Sequence, residues 1–383
     1  MAEISIPYGR QWVEESDMEA VRKVLAGDYL TTGPLVGEFE SALCVYTGAA
    51  HGAALNSGTA ALHAAYAAVG LKKGDRLLTS PLTFAATANA ARYLGADVVF
   101  ADIEDDTGNL DVGAAEALLD DRVRLLVPVD YAGHPADYDG FAPLAKAREI
   151  PVVADGAHSL GARYKGRAVG TLADLTELSF HPVKPITTGE GGAVLGANKA
   201  LMQRVRDFRT HGITRDPESL TRDEGPWYYE MHELGFNYRL TDLQCALGLS
   251  QMQRLDQFVA RRRAIAARYQ EAFADCQALR LPTVRDGVEP GWHLYVVRVR
   301  GDARRRRPFF EALRKRGLGV QVHYLPVYLH PYYRDLGFRQ GICPRAEDFY
   351  ARAVSLPIFP RMTEEEVNRV IETVIQTSAE VLD

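Results

Sequence analysis

Short runs of apolar and β-branched residues recur through the first half of the chain, at 77–80, 97–101, 125–129, 152–154, 176–180 and 193–195. Most are separated by helix-length segments. Runs of this kind suit strands buried on both faces, so the pattern predicts a largely parallel sheet covered by helices on either side. Helical periodicity fills the gaps. Ser16-x-x-Glu19 reads as a capping box, with Met18, Val21 and Leu25 on one face and Gly27 as the stop. An alanine-rich helix is predicted over 60–69, and a long charged one over 256–269. From about residue 290 the chain mixes strand-like runs such as 294–299 with helices. The last helix opens with a second box, Thr363-x-x-Glu366, and continues through Val367, Val370 and Val374. The division expected is a large domain over 1–255, with an N-terminal arm, and a smaller α+β domain over 256–383.

Composition narrows the classes. A length of 383 residues with a formal net charge of -6 argues against a nucleic-acid surface, and the run Arg304 to Arg307 before Pro308 reads as the solvated entry to a helix. Four separated cysteines, Cys44, Cys245, Cys276 and Cys343, suggest neither zinc nor a disulfide framework, and no metal is expected. With no charged-then-apolar leader and no bilayer-length apolar run, a soluble protein of a reducing, cytoplasmic compartment is expected, with no membrane contact.

The candidate chemistry gathers where strands are predicted to end, which is where open α/β sheets bind ligands. In the stretch 178–194, Leu-Ser-Phe-His-Pro-Val-Lys-Pro-Ile-Thr-Thr-Gly-Glu-Gly-Gly-Ala-Val, Lys184 sits among apolar and hydroxyl residues, and Pro185 excludes a helix interior. A poorly solvated lysine loses stability as the ammonium, which frees its amine for Schiff-base chemistry. Ser57-Gly58-Thr59 opens the alanine-rich helix, and its backbone N–H groups and hydroxyls form a cradle suited to phosphate, although Ser and Thr there are also ordinary caps. Asp155 closes an apolar strand, where a carboxylate needs a partner such as a protonated pyridine nitrogen. The alternative is a helix cap. His158 could face the same ring, and so could Phe84, unless it is core. Asn237 and Arg239 precede a helix that Thr241 or Asp242 could cap, a suitable place to meet an anion. The hydroxyl-rich loop 29–34 is either a binding loop or a plain turn.

With Ser-Gly-Thr-Ala-Ala-Leu-His at 57–63, Asp155-x-x-His158, Ser179-Phe-His-x-x-Lys184, Gly189-Glu-Gly-Gly192 and Gly235-Phe-Asn-Tyr-Arg239, the chain resembles the DegT/DnrJ/EryC1/StrS sugar aminotransferases over most of its length. The resemblance implies the aspartate-aminotransferase-like fold of type I pyridoxal-phosphate enzymes. It also implies a Schiff base between Lys184 and pyridoxal 5'-phosphate, with the pyridoxamine form as intermediate, and Asp155 on the ring nitrogen. His158 would approach the ring hydroxyl and Phe84 would stack on the ring. Ser57, Gly58, Thr59 and Ser179 would hold the phosphate, completed by Asn237 from the neighbouring subunit of a homodimer with shared active sites. The stretches near Tyr8, at 181–192, 227–239 and 322–333 resemble a branch that aminates UDP-linked 4-keto-6-deoxy sugars in pseudaminic acid synthesis. In that branch Tyr8, Leu30, Thr31, Arg239, His323 and Tyr324 would face the nucleotide-sugar, and glutamate would be the amino donor. Ala154 stands where many relatives carry an acid, and His158 where many carry glutamine. Pyridoxamine-dependent sugar dehydratases share the fold, but they typically replace the lysine with histidine, and Lys184 disfavours them. A nicotinamide dehydrogenase lacks support, because Gly189-Glu-Gly-Gly192 is not Gly-x-Gly-x-x-Gly.

Overall fold

The computed structural model describes residues 4–382. Its centre is a sheet of β1 (His51–Leu55), β2 (Arg76–Thr79), β3 (Asp97–Phe100), β4 (Val123–Val127), β5 (Val153–Asp155), β6 (Leu175–Ser179) and β7 (Gly192–Gly196). One half runs β1-β7-β6-β5 and the other β3-β2-β4. Parallel bridges Leu126↔Val152 and Val129↔Asp155 join the halves. The expectation of a largely parallel sheet holds with one exception: β7 is antiparallel to both β1 and β6. That reversal brings Gly192 level with Leu55 and Ser179, at the carboxyl ends of its neighbours.

Side chains alternate cleanly across this sheet. Leu195 and Leu178 enter one core with Phe39, Phe180 and Phe258, while Val194 and Leu175 enter the other with Leu62 and Tyr66. Helix α1 (Glu15–Leu25) and α2 (Pro34–Thr47) precede the sheet; α3 (Gly58–Ala68) and α4 (Ala86–Tyr93) pack on it. Alanines let α3 lie close: Ala60, Ala61, Ala64, Ala65 and Ala68 are all buried. Its start is set by Ser57, whose Oγ accepts from the Ala60 N–H at 3.1 Å.

Helix α1 departs from the expected pattern. Its cap is Glu14 with Asp17, not Ser16 with Glu19, and Met18 and Leu25 are 53 % and 62 % exposed. The reason is polar. Asp17 is fully buried and accepts from Ser250 Oγ (2.6 Å), Gln251 Nε2 (2.8 Å) and Arg254 Nη2 (2.5 Å), which turns that face inward against α5 (Asp242–Met252). Burial alone would raise the Asp17 pKa, but the hydrogen bonds outweigh it and hold the group below its ordinary value.

The chain continues through α6 (Leu255–Ala272) to a second, antiparallel sheet of β8 (Leu279–Arg280), β9 (Tyr295–Val299) and β10 (Ala353–Leu356), in the order β8-β9-β10. Helices α7 (Arg306–Lys315) and α8 (Glu364–Val381) share its core with α6, through Phe309, Leu313, Val367, Val370, Val374 and Tyr269. The Thr363–Glu366 capping box is present. Ile6–Pro7 pairs in parallel with Leu318–Gly319 in a separate two-stranded ribbon, and Ile6 and Leu318 enter the core behind the second sheet. Among the described residues no helix is long and apolar enough to cross a membrane, and no group of three His, Cys, Asp or Glu is placed to hold a metal.

Candidate active site

The carboxyl ends of β1, β5 and β6 bring three of the singled-out segments to one edge of the sheet. β1 delivers Ser57 and Gly58 at the first turn of α3. A Cβ on Gly58 would lie 3.1 Å from Ser179 Cβ and 2.5 Å from Glu177 Oε1, so that turn is seated directly on β6, and only glycine permits the approach. β5 ends in Asp155, which is buried. Its Oδ2 accepts from Thr87 Oγ1 at 2.6 Å, and its Oδ1 from the Ala157 N–H at 3.2 Å. The structure places Asp155 as a strand-end carboxylate with its own donors, and no helix follows it to be capped.

Lys184 lies in the loop between β6 and β7, its backbone N–H on the His181 carbonyl at 2.9 Å. Burial lowers its pKa to about 8, against the pull of Glu177 and Asp155, and the Arg262 guanidinium pushes the same way as burial. Arg262 itself is buried and has no carboxylate partner among the described residues. It donates to the carbonyls of Val183, Trp292, His293 and Ile358, and so ties the residue before Lys184 to the second sheet's side of the cleft.

Facing this edge are His158, His293, His323 and Tyr324. The His158 and His293 rings stand 4.4 Å apart, and His158 Nε2 and Tyr324 Oη are hydrogen-bonded at 3.1 Å. His323 Nδ1 pairs with Ser355 Oγ at 2.8 Å, and Tyr8 packs against the His323 ring at 5.4 Å. Burial, then the nearby Lys184 charge, depresses the pKa of all three imidazoles, that of His323 to about 4, so they are neutral at pH 7. Phe84 is 63 % exposed and 6.4 Å from Tyr324, an aromatic face left open rather than core.

Ser57, Gly58, Phe84, Asp155, His158, Ser179, Lys184, His323, Tyr324 and Tyr8 are thus gathered in one region, and Thr59 follows in the same helical turn. Leu30 and Thr31 sit at the start of α5 instead, and Asn237 and Arg239 run beside the end of β1, where the Asn56 N–H donates to the Tyr238 carbonyl at 2.9 Å. The Leu30 carbonyl accepts from Asp242 at the start of α5, and Thr31 bridges Thr241. Arg239 bridges Leu55 and Asn237 bridges Thr210, with the Asn237 side chain exposed. Four contributors escaped the motif reading: Thr87, Glu177, Arg262 and His293. Glu177 left a signal, a lone acid within the apolar run Leu-Thr-Glu-Leu-Ser. Thr87 and Arg262 left none, because their roles depend on packing across elements far apart in sequence.

The DegT/DnrJ/EryC1/StrS aminotransferase family profile matches residues 11–375. This chain belongs to that family. The aminotransferase is 40 % identical over 372 residues, 96 % of each chain, to the UDP-4-amino-4,6-dideoxy-N-acetyl-beta-L-altrosamine transaminase of Campylobacter jejuni subsp. jejuni serotype O:23/36. Among solved structures it superposes on Helicobacter pylori PseC, an aminotransferase involved in the biosynthesis of pseudoaminic acid. The TM-score there is 0.92, with 33 % identity and coverage of 98 % and 99 % of the two chains. It also superposes on the PMP form of the putative sugar aminotransferase Spr1654 of Streptococcus pneumoniae, with TM-score 0.93, 31 % identity and coverage of 99 % and 100 %. The aminotransferase therefore has the type I fold and uses pyridoxal 5'-phosphate. Its residues fit that cofactor. The first turn of α3 after Ser57 offers backbone N–H groups to a phosphate, Asp155 offers a buried carboxylate, Lys184 a lysine of lowered pKa, and His158 Nδ1 is buried without a partner among the described residues.

Proposed function

We propose that this aminotransferase moves an amino group from an amino acid, glutamate in our reading, to C4 of a UDP-linked 4-keto-6-deoxy sugar, namely UDP-2-acetamido-2,6-dideoxy-beta-L-arabino-hexos-4-ulose. The observation that carries the chemistry is Lys184, with its pKa near 8, set at the sheet edge that also carries Asp155 and the Ser57–Gly58 turn. The named Campylobacter jejuni relative supports the choice of sugar.

When bound, pyridoxal phosphate supplies an electron sink for bonds at the amino-bearing carbon. Asp155 would hold the proton on the ring nitrogen. Ser57, Gly58, Thr59 and Ser179 would take the phosphate, Phe84 one ring face, and His158 the edge that carries the hydroxyl. At pH 7 about a tenth of the Lys184 amine is unprotonated, enough to take the donor's α-proton at Nζ. Tyr8, His323 and Tyr324 would line the sugar side.

The second subunit is part of this reading. Met18, Leu25, Tyr29 and Leu30 expose apolar surface beside a hollow of about 580 Å³ that Val24, Leu35 and Leu249 help to line. A homodimer would cover that face. Asn237 of the partner subunit would then complete the phosphate site, and Leu30, Thr31 and Arg239 would meet the nucleotide-sugar. Free cysteines fit a cytoplasmic setting.

The test is the visible spectrum of the wild type beside Lys184→Ala, with glutamate added first and the UDP-linked 4-keto sugar second. The wild type should be yellow, lose its band with glutamate and regain it with the sugar, and the variant should do none of these. A wild type that answers glutamate but ignores this sugar points to another keto-sugar. One that consumes the sugar without transferring nitrogen makes it a dehydratase.

A further inference from the structure

Glu177 is fully buried in β6, and neither carboxyl oxygen has a hydrogen-bond partner among the described residues. An isolated carboxylate in such a place is too costly to persist without compensation. Its position is specific. In the parallel β5–β6 ladder it lies directly opposite Asp155; Ser179 follows two residues on, on the same face, and Oε1 stands 2.5 Å from where a Cβ on Gly58 would be. The carboxyl therefore sits between the Asp155 carboxylate and the phosphate-cradling turn, beneath α3.

Two carboxyls confined in one dry site do not both ionise. Asp155 accepts from Thr87 Oγ1 at 2.6 Å and from the Ala157 N–H at 3.2 Å, both of which favour its anion, whereas Glu177 faces the Asp155 carboxylate across the ladder and has no well-formed hydrogen bond to the Ala157 N–H that they share. The shared proton accordingly belongs on Glu177. Burial first, and the Asp155 charge second, hold the Glu177 pKa well above the ordinary carboxylate range, with the Lys184 ammonium opposing them. The coupling is mutual: once ionised, Glu177 supports the Lys184 ammonium more strongly than Asp155 does. The other titratable group facing it is Tyr66 of α3, whose phenol burial keeps neutral, while β7 presents only Val194.

We propose that Glu177 is a proton-holding positioning residue of the cofactor site. As the neutral acid it leaves Asp155 the lone anion for the ring nitrogen, and it gives up its proton when positive charge is needed on Lys184. The exchange balances: Glu177–COOH and Lys184–NH₂ become Glu177–COO⁻ and Lys184–NH₃⁺, with no change in the site's total charge. This reading rests on the cofactor roles proposed above for Asp155 and Lys184.

The experiment follows the visible band of the holoenzyme from about pH 5 to about pH 10 in wild type, Glu177→Gln and Glu177→Met. Both variants should retain the cofactor and titrate with a midpoint lower by about one unit, a tenfold loss of proton affinity, because neither can supply the second negative charge. Variants that load and titrate at the wild-type midpoint would make Glu177 filler and overturn the proposal. The unloaded proteins provide a second readout. A carboxyl whose folded pKa is raised costs stability increasingly as pH climbs from its unfolded value near 4.3 toward the folded one. The melting temperature of Glu177→Met should therefore gain on that of wild type between about pH 5 and about pH 8. A gap that stays flat across that range also overturns the proposal. A wild type that binds no pyridoxal phosphate would instead sink the functional reading, and the melting comparison would still decide the role of Glu177.

Discussion

Gly58→Ala tests the close seating of the Ser57–Gly58 turn on β6. The added methyl would lie 2.5 Å from Glu177 Oε1 and 3.1 Å from Ser179 Cβ, against ordinary separations of about 3.5–4.0 Å. An overlap of roughly 1 Å against a carboxyl fixed in a central strand is overpacking, which costs about 1–3 kcal/mol. Alanine's better helix propensity returns at most about 1 kcal/mol, so a net loss of about 1–2 kcal/mol is expected. Urea unfolding of the unloaded protein measures it, repeated in a Glu177→Ala background where the main obstacle is gone. There the same substitution should be near neutral or mildly stabilising, giving a coupling energy of about 1–3 kcal/mol. If Gly58→Ala costs the same in both backgrounds, to within about 0.5 kcal/mol, the two residues do not touch in solution and the seating described here is wrong.

Two further outcomes follow from the same geometry. Amine-directed labelling of Lys184 in the unloaded protein should rise about tenfold per pH unit and level off above its pKa of about 8. Because that pKa is depressed on folding, the lysine's contribution to stability should fall as pH drops from about 10.4 toward that value. Arg262→Met should move the labelling midpoint upward by removing a like charge, and destabilise the fold by about 2–4 kcal/mol, since the carbonyls of Val183, Trp292, His293 and Ile358 lose their donor. An unchanged midpoint would remove Arg262 from the account. Tyr324→Phe deletes the hydroxyl bonded to His158 Nε2, a change worth about 0.5–1.5 kcal/mol. A fluorescence titration should show cofactor binding weakened about two- to tenfold, and wild-type affinity would argue that His158 is oriented by its packing on His293 alone.

The amino-acid order by itself determined the strand positions, the start of α3 at Ser57 and the last helix at Thr363, because apolar runs and side-chain caps act within a few residues. It also carried Lys184, Asp155 and the Ser57 turn, since strand ends in such a sheet converge on one edge whatever the loops do. The direction of β7 was not legible, because a buried run reads the same in either sense. Nor was the orientation of α1, whose apolar stripe predicts Met18 and Leu25 on the inward face. Three partners for Asp17, all more than two hundred residues away, outweighed that stripe. The seating of Glu177 against Gly58 and Asp155, and the hold of Arg262 on the residue before Lys184, arise only when distant elements pack. Burial turns an ordinary glutamate and an ordinary lysine into a coupled pair, and burial is a property of the fold rather than of any short stretch of chain.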